Sequence, residues 1–289
     1  LNLAGTISGA GQTVTFGGAG DILVTGVIAT GGGGLVKEGS GALRLAAANT
    51  FAGTTIVSAG SVVAEASNVF NNAAALTLNT GATLSLNDFA QTIGNLAGGG
   101  LLDLGLGGAG MLTLTNGSGI FSGAFGGRGT IVIGPSATLT LGADFNAPNI
   151  NFVLAGGTLA LDSSNSTFGS VNITGDSVIE FKGSASILSL SDIVFANTGL
   201  RLTIQDWIDA QNYLFTQNFT GAVPDVRGLS PTNQIQFSGF SNDDTAWQSY
   251  DSQITPVPEP AAYGLVLVAL SFGLGVWRRS AIAFHRWMK

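Results

Sequence analysis

From Leu1 to about Asn197 apolar and polar residues alternate in short runs punctuated by glycine. Thr13-Val14-Thr15-Phe16, Ala42-Leu43-Arg44-Leu45, Thr83-Leu84-Ser85-Leu86, Leu112-Thr113-Leu114-Thr115, Thr138-Leu139-Thr140-Leu141 and Thr158-Leu159-Ala160-Leu161 all follow this rule. A period of two over four or five residues predicts a strand with one buried face. The glycines between runs supply the positive φ angles of tight turns. No stretch here sustains a 3.6-residue period, so the expectation is all-β.

Two arrangements suit such strands. A sandwich or barrel needs hairpins closed by two-residue turns at regular spacing. A parallel solenoid needs very short strands, about three per coil, with corners of small residues. Runs of four residues with links of three to six, and outward Thr, Ser and Asn in place of Lys and Glu, favour the solenoid. The predicted fold is a right-handed parallel β-helix over 1–197. Leu35, Leu43, Leu45, Ile56 and Val62 are expected to point into the coil, with Asn49 and Thr55 near corners. An inward Asn49 would satisfy turn amides left without partners.

One segment resembles a known repeat. Gly34-Leu35-Val36-Lys37-Glu38-Gly39-Ser40-Gly41-Ala42-Leu43-Arg44-Leu45 continues through Asn49-Thr50-Phe51-Ala52-Gly53-Thr54-Thr55-Ile56-Val57 to Gly60-Ser61-Val62. It is similar to the autotransporter-associated β-strand repeat, whose marker positions correspond to Gly34, Leu35, Lys37, Gly39, Gly41, Leu43, Leu45, Asn49, Phe51, Gly53, Thr55 and Gly60. The resemblance implies a secreted β-solenoid at a bacterial surface.

After residue 197 the texture changes. Residues 198–255 carry Trp207, Tyr213, Trp247, Tyr250 and several Phe with fewer glycines. Solenoid ends expose strand edges and core, so an aromatic-rich C-terminal cap is expected, including Ile204-Gln205-Asp206-Trp207 and Asn233-Gln234-Ile235-Gln236-Phe237.

Charge refines this picture. Charged residues make up 9% of the chain, against about 25% in an average domain. Residues 1–255 hold six basic and sixteen acidic residues, a net of −10, whereas four of the ten basic residues lie in 278–289. An acidic body does not track phosphates, so no nucleic-acid partner is expected. The basic tip marks a membrane boundary.

The last residues agree with that boundary. Pro256 to Pro260 precede the uncharged run Ala261 to Trp277, and Arg278-Arg279 follow. Seventeen helical residues reach about 25 Å, the short end of a membrane span. The arginines as a membrane stop place the 278–289 tail in the cytoplasm and the body outside. Val257-Pro258-Glu259-Pro260, the apolar run and the arginines look like the PEP-CTERM sorting signal. That resemblance implies an exosortase as processing partner, a precursor anchored in the inner membrane, and delivery to the cell surface or matrix. Expected segments are therefore 1–197 (solenoid), 198–255 (cap), 256–260 (sorting motif), 261–277 (transmembrane helix) and 278–289 (tail).

Catalytic readings find little support. There is no cysteine, and the one histidine, His285, lies beyond the span, so no ectodomain triad or zinc site is available. Asp144, Asp162, Asp176 and Glu180 are candidates for glycoside chemistry, but their offsets from the neighbouring strands differ. Gly17-Gly18-Ala19-Gly20-Asp21 falls one residue short of a calcium-binding unit and stands alone. Thr13/Thr15, Thr113/Thr115 and Thr138/Thr140 are candidates for a hydroxyl array facing polysaccharide. The expectation is a non-enzymatic structural or adhesive surface protein with no cofactor and no metal. Exopolysaccharide or a second copy is its candidate partner. The alternatives are a polysaccharide lyase or hydrolase on the same fold, or a glycan-binding module.

Overall fold

The computed structural model describes residues 1–70, 74–183, 185–220, 234–240, 245–248 and 252–256. They form an all-β parallel solenoid of about ten turns. Through most of the body one coil takes 18 to 23 residues: Thr83 lies opposite Leu101, and Gly98 opposite Phe121. Towards the C-terminus the coils lengthen, setting Ser177 opposite Leu202 and Leu202 opposite Ile235.

Each coil visits three faces. The first is a seven-stranded parallel sheet through Ile22–Val24, Ala42–Leu45, Ser61–Ala64 and Thr83–Ser85 to Ala124–Gly126. The third stacks Val14–Phe16, Leu35–Lys37, Thr55–Val57, Leu76–Leu78 and Leu96–Gly98 in parallel. The second begins with Ile7–Ser8 on Ile28–Ala29 and resumes with Ala90–Ile93. From there it passes through Met111–Leu114, Thr130–Ile133, Phe152–Leu154 and Val171–Ile173 to Ile193–Phe195. Some strands are longer than the alternating runs suggest. Gly110–Phe121 and Gly129–Leu141 each serve two faces, the first turning the corner at a register shift between Leu114 and Asn116.

Inward columns follow from the register. Ile22, Leu43, Val62, Leu84 and Leu102 stack on the first face, and the last four are fully buried. Each such leucine contributes about 1.5–3 kcal/mol by leaving water. Leu35 and Leu45 are also fully buried. Ile56 is not in this core: Thr55 and Val57 point inward, and Ile56 faces out between them, half-buried. The strand is three residues long, so its inward pair brackets the isoleucine.

The change in composition after residue 197 is not a change in pairing. Leu202–Gln205, Tyr213–Thr220 and Ile235–Phe237 continue the parallel ladder. Among the described residues the direction reverses only where Gln253–Pro256 pairs antiparallel with Tyr213–Thr220 and with Thr245–Gln248. Trp207 packs edge-on against Phe181 at 5.4 Å and Phe237 at 4.9 Å, closing the third-face end of the core. Among the described residues no helix is long and apolar enough to cross a membrane. The sorting motif Val257 to Pro260, the span 261–277, Arg278, Arg279 and His285 lie outside the described residues.

Candidate functional site

The repeat signature of residues 34–62 gathers at two corners of the coil. Lys37 ends a third-face strand, in register with Phe16 below and Val57 above. Its side chain is therefore directed inward and is 1% exposed. Its ammonium donates to the carbonyls of Glu38 at 2.8 Å, Gly39 at 2.7 Å and Ala59 at 3.3 Å. All three N–H donors are thus matched, which is what a buried cation needs. Burial pushes the amine below the usual lysine range, while Asp21 and Glu38 pull it back up. The lysine joins the turn of its own coil to the turn of the next.

The signature glycines make room for that junction. By register, Gly20, Gly41, Gly60, Ala82, Gly100 and Gly123 form one column between the third and first faces. A Cβ on Gly60 would stand 2.5 Å from the carbonyls of both Gly39 and Gly41, and one on Gly100 would stand 2.6 Å from the Ala82 carbonyl. Gly39 and Gly60 also need positive φ, 70° and 68°. At the opposite corner Gly53 lies against Gly33 and Gly34, where a Cβ would come within 2.7 Å of backbone.

Asn49 acts where the second face lapses. None of the described residues 46–54 or 65–70 is in a strand there. The Asn49 Oδ1 accepts the Ile28 N–H at 2.8 Å, and its Nδ2 donates to the Val69 carbonyl at 2.7 Å. Gln91 repeats the device two coils on, accepting the Val69 N–H at 2.9 Å and donating to the Ala66 carbonyl at 2.7 Å. Side-chain amides thus replace missing ladder bonds inside the coil. Near the C-terminus Ser164, Ser186 and Asn212 do the same: Ser186 Oγ accepts from Ser164 N–H, and Asn212 Oδ1 from Ser186 N–H. Gln91, Ser186 and Asn212 carry no repeat marker, and only their inward register would have exposed them.

The candidate acids do not converge. Asp144 caps the Asn165 amide at 2.7 Å and Asp176 the Arg201 amide at 2.9 Å, each reaching one coil onward at a different corner. Glu180 lies mid-strand on the third face and pairs with Lys182 at 3.2 Å, while Asp162 is exposed at that face's end. Asp21 likewise caps the Ala42 amide at 2.8 Å. Among the described residues no three acidic or histidine side chains gather as a metal site requires. The threonine pairs do not form one array: Thr113 and Thr115 belong to the second-face strand and its corner, Thr13/Thr15 and Thr138/Thr140 belong to distant coils of the third face, and Thr140 is buried.

Asp88 is a further cap. It follows Asn87, both at positive φ, and accepts the Gly107 N–H at 2.9 Å. That bond, with further amides from Ala109, Gly108 and Leu106 and against the opposing effect of desolvation, holds its carboxyl below the usual range.

The charged groups sit at corners, on the first and third faces, and on the second face at Asp192, one strand beyond Val171–Ile173. Five adjacent second-face strands, from Ala90–Ile93 to Val171–Ile173, carry no outward charge.

This architecture is that of a repeat-built β-solenoid, a class whose stability is distributed from coil to coil. Residues 35–64 match the Passenger-associated-transport-repeat family, PATR. The chain is also similar to the adhesin BmaC autotransporter of Brucella suis biovar 1 (strain 1330), with 34% identity over 192 residues. That alignment covers 59% of this chain but 6% of the relative, so the chain spans a small part of that protein's length. No solved structure matches the chain.

Proposed function

We propose that this chain is a structural, adhesive protein of a bacterial surface or matrix, working without catalysis or cofactor. The observation that carries the reading is the engagement of its repeat residues. Lys37, Asn49 and the corner glycines hold coil to coil, which leaves the broad outer faces as the working surface. The similarity to an adhesin and to a passenger repeat supports this. Delivery would run through the sorting segment: an exosortase recognises Val257 to Pro260, the 261–277 span anchors the precursor in the inner membrane, and Arg278-Arg279 stop it. Exopolysaccharide or a second copy would then be the surface partner.

The test is location and attachment in the native organism. Protease shaving of intact cells should release peptides from residues 1–256, and deletion should weaken matrix cohesion or attachment to surfaces. Peptides found only in the cytoplasmic fraction would overturn the reading.

A further inference from the structure

The five uncharged strands of the second face define a patch with two outward positions per strand. Strand spacing and rise make it about 19 Å by about 13 Å, or about 250 Å². Six of its outward side chains can hydrogen-bond: Thr92, Thr113, Thr130, Asn151, Ser170 and Asn172. They are all half-buried and lie low on the sheet. Asn151, for example, accepts both the N–H and the hydroxyl of Ser170, at 2.8 and 3.1 Å. Val132 and Val153 pack between them in adjacent strands. The patch is bordered by Asp88 and Arg128 before it, by Asp176 after it, and on the next rung of the same face by Asp192, in register with Ser170.

We infer that this second-face patch is the adhesive surface, and that its partner is a neutral polysaccharide. The inference rests on the surface-adhesive reading above and names the ligand of that surface. With no outward charge, the patch offers nothing to pair with an acidic or basic polymer, while hydroxyl and amide groups on neighbouring rungs suit a polyhydroxylated chain. A second copy is the poorer occupant on two counts. The patch is about a third of the roughly 800 Å² per partner that stable interfaces bury. The body's net charge of −10 over residues 1–255 also makes two copies repel. A neutral polymer meets neither obstacle, and many repeated weak contacts along one polymer add up by avidity.

The full chain, held in non-ionic detergent, is run through native gels containing soluble dextran, laminarin or alginate. Retardation by at least one of the two neutral polymers, with none by acidic alginate, is expected. Val132→Glu combined with Val153→Glu should raise the apparent dissociation constant about tenfold or more, because each carboxylate would lose water without gaining a partner. Thr113→Lys tests the same patch with the opposite sign and should weaken retention similarly. Val63→Glu makes the same valine-to-glutamate change at an outward first-face position and should leave it unchanged. Circular dichroism confirms that each variant keeps its strands. Equal retention of the Val132/Val153 and Val63 variants would move the ligand off this face. Retention by alginate alone, or by none of the three, would overturn the neutral-glycan assignment. So would concentration-dependent dimers abolished by Val132→Glu. None of these outcomes touches surface location, which the shaving experiment decides separately.

Discussion

The Lys37 ammonium lies 2.8 Å from the point where a Cβ would stand on Gly60. The two residues belong to consecutive coils, so one coil's cation closes the next coil's turn. Gly60→Ala would place a methyl against that ammonium and against the carbonyls of Gly39 and Gly41, at a φ of 68°. The left-handed backbone alone costs about 1–2 kcal/mol in alanine, and the contacts add to it. Gly81 has a φ of 84° but open space around its missing Cβ, so Gly81→Ala should show the backbone cost alone. Thermal unfolding should place Gly60→Ala clearly below Gly81→Ala. Equal midpoints would mean that the corner can open without penalty.

Asn49 gives the second prediction. Asn49→Leu keeps the branched heavy-atom skeleton but leaves the Ile28 N–H and the Val69 carbonyl without the bonds they now make. An unpaired buried group costs about 1–3 kcal/mol, so with two such groups a loss of about 2–6 kcal/mol is expected in denaturant titration. A near-neutral result would show that neighbouring backbone or water takes over both groups.

Thr55 points the other way. Its hydroxyl is buried and has no hydrogen-bond partner among the described atoms. Thr55→Val should therefore stabilise the chain, by about 1 kcal/mol, seen as a raised thermal midpoint. A lowered midpoint would reveal a bond that the valine cannot make.

Thr55 also marks the limit of what alternation can reveal. Leu43 and Leu45 are legible as core because Arg44 stands outward between them, whereas Leu35 and Val62, each followed by a valine, are marked by the repeat pattern. In Thr54-Thr55-Ile56-Val57 the pattern is ambiguous: reading Ile56 as inward ignores that Val57 is inward too, and the register with Leu35 and Leu76 settles which. Lys37 stands out in the repeat, but its burial could not be read locally, because its three carbonyl partners come from turns in two different coils. The long strands were hidden for another reason. Asn116-Gly117 and Gly134-Pro135 look like breaks, yet within Gly110–Phe121 and Gly129–Leu141 they are the bends that carry a strand from one face to the next. The second-face patch escaped notice because an absence of charge becomes a surface only once five coils are aligned.

Asp88 makes one loop sensitive to acid. Its folded carboxyl lies below the ordinary value of 3.8, chiefly through the Gly107 N–H, so the folded state binds fewer protons than the unfolded state in acid. The stabilisation is therefore fully present above 3.8 and is lost as pH falls through the lower folded value. Protonation weakens the acceptor that the Gly107 and Ala109 amides share. Hydrogen exchange at these two amides, corrected for intrinsic rates, should accelerate below that pH while core amides such as Leu84 stay protected. Asp88→Asn keeps an acceptor oxygen without the titration, and should flatten the pH dependence. Persistence of the acid effect in that variant would assign it to another carboxyl.

The sorting segment yields the last prediction. Glu259 is the single carboxylate between Pro258 and Pro260, and it precedes the uncharged run to Trp277 by one residue. If an exosortase reads this segment, recognition and membrane insertion are separable. Insertion depends on the apolar run and on Arg278 and Arg279, each of which would cost about 2.5–3.5 kcal/mol at mid-membrane. Recognition depends on the carboxylate and its prolines. Glu259→Ala should then leave insertion intact and accumulate uncut chain in the inner membrane. Arg278→Ala with Arg279→Ala should instead disturb orientation or retention of the precursor. Mass spectrometry of surface material from the native organism checks both: the wild-type chain should end near Pro260, and the Glu259 variant should be missing from the surface. Surface peptides extending to Lys289 would make the segment a permanent anchor and remove the exosortase from the pathway, leaving the solenoid's role at the surface unaffected.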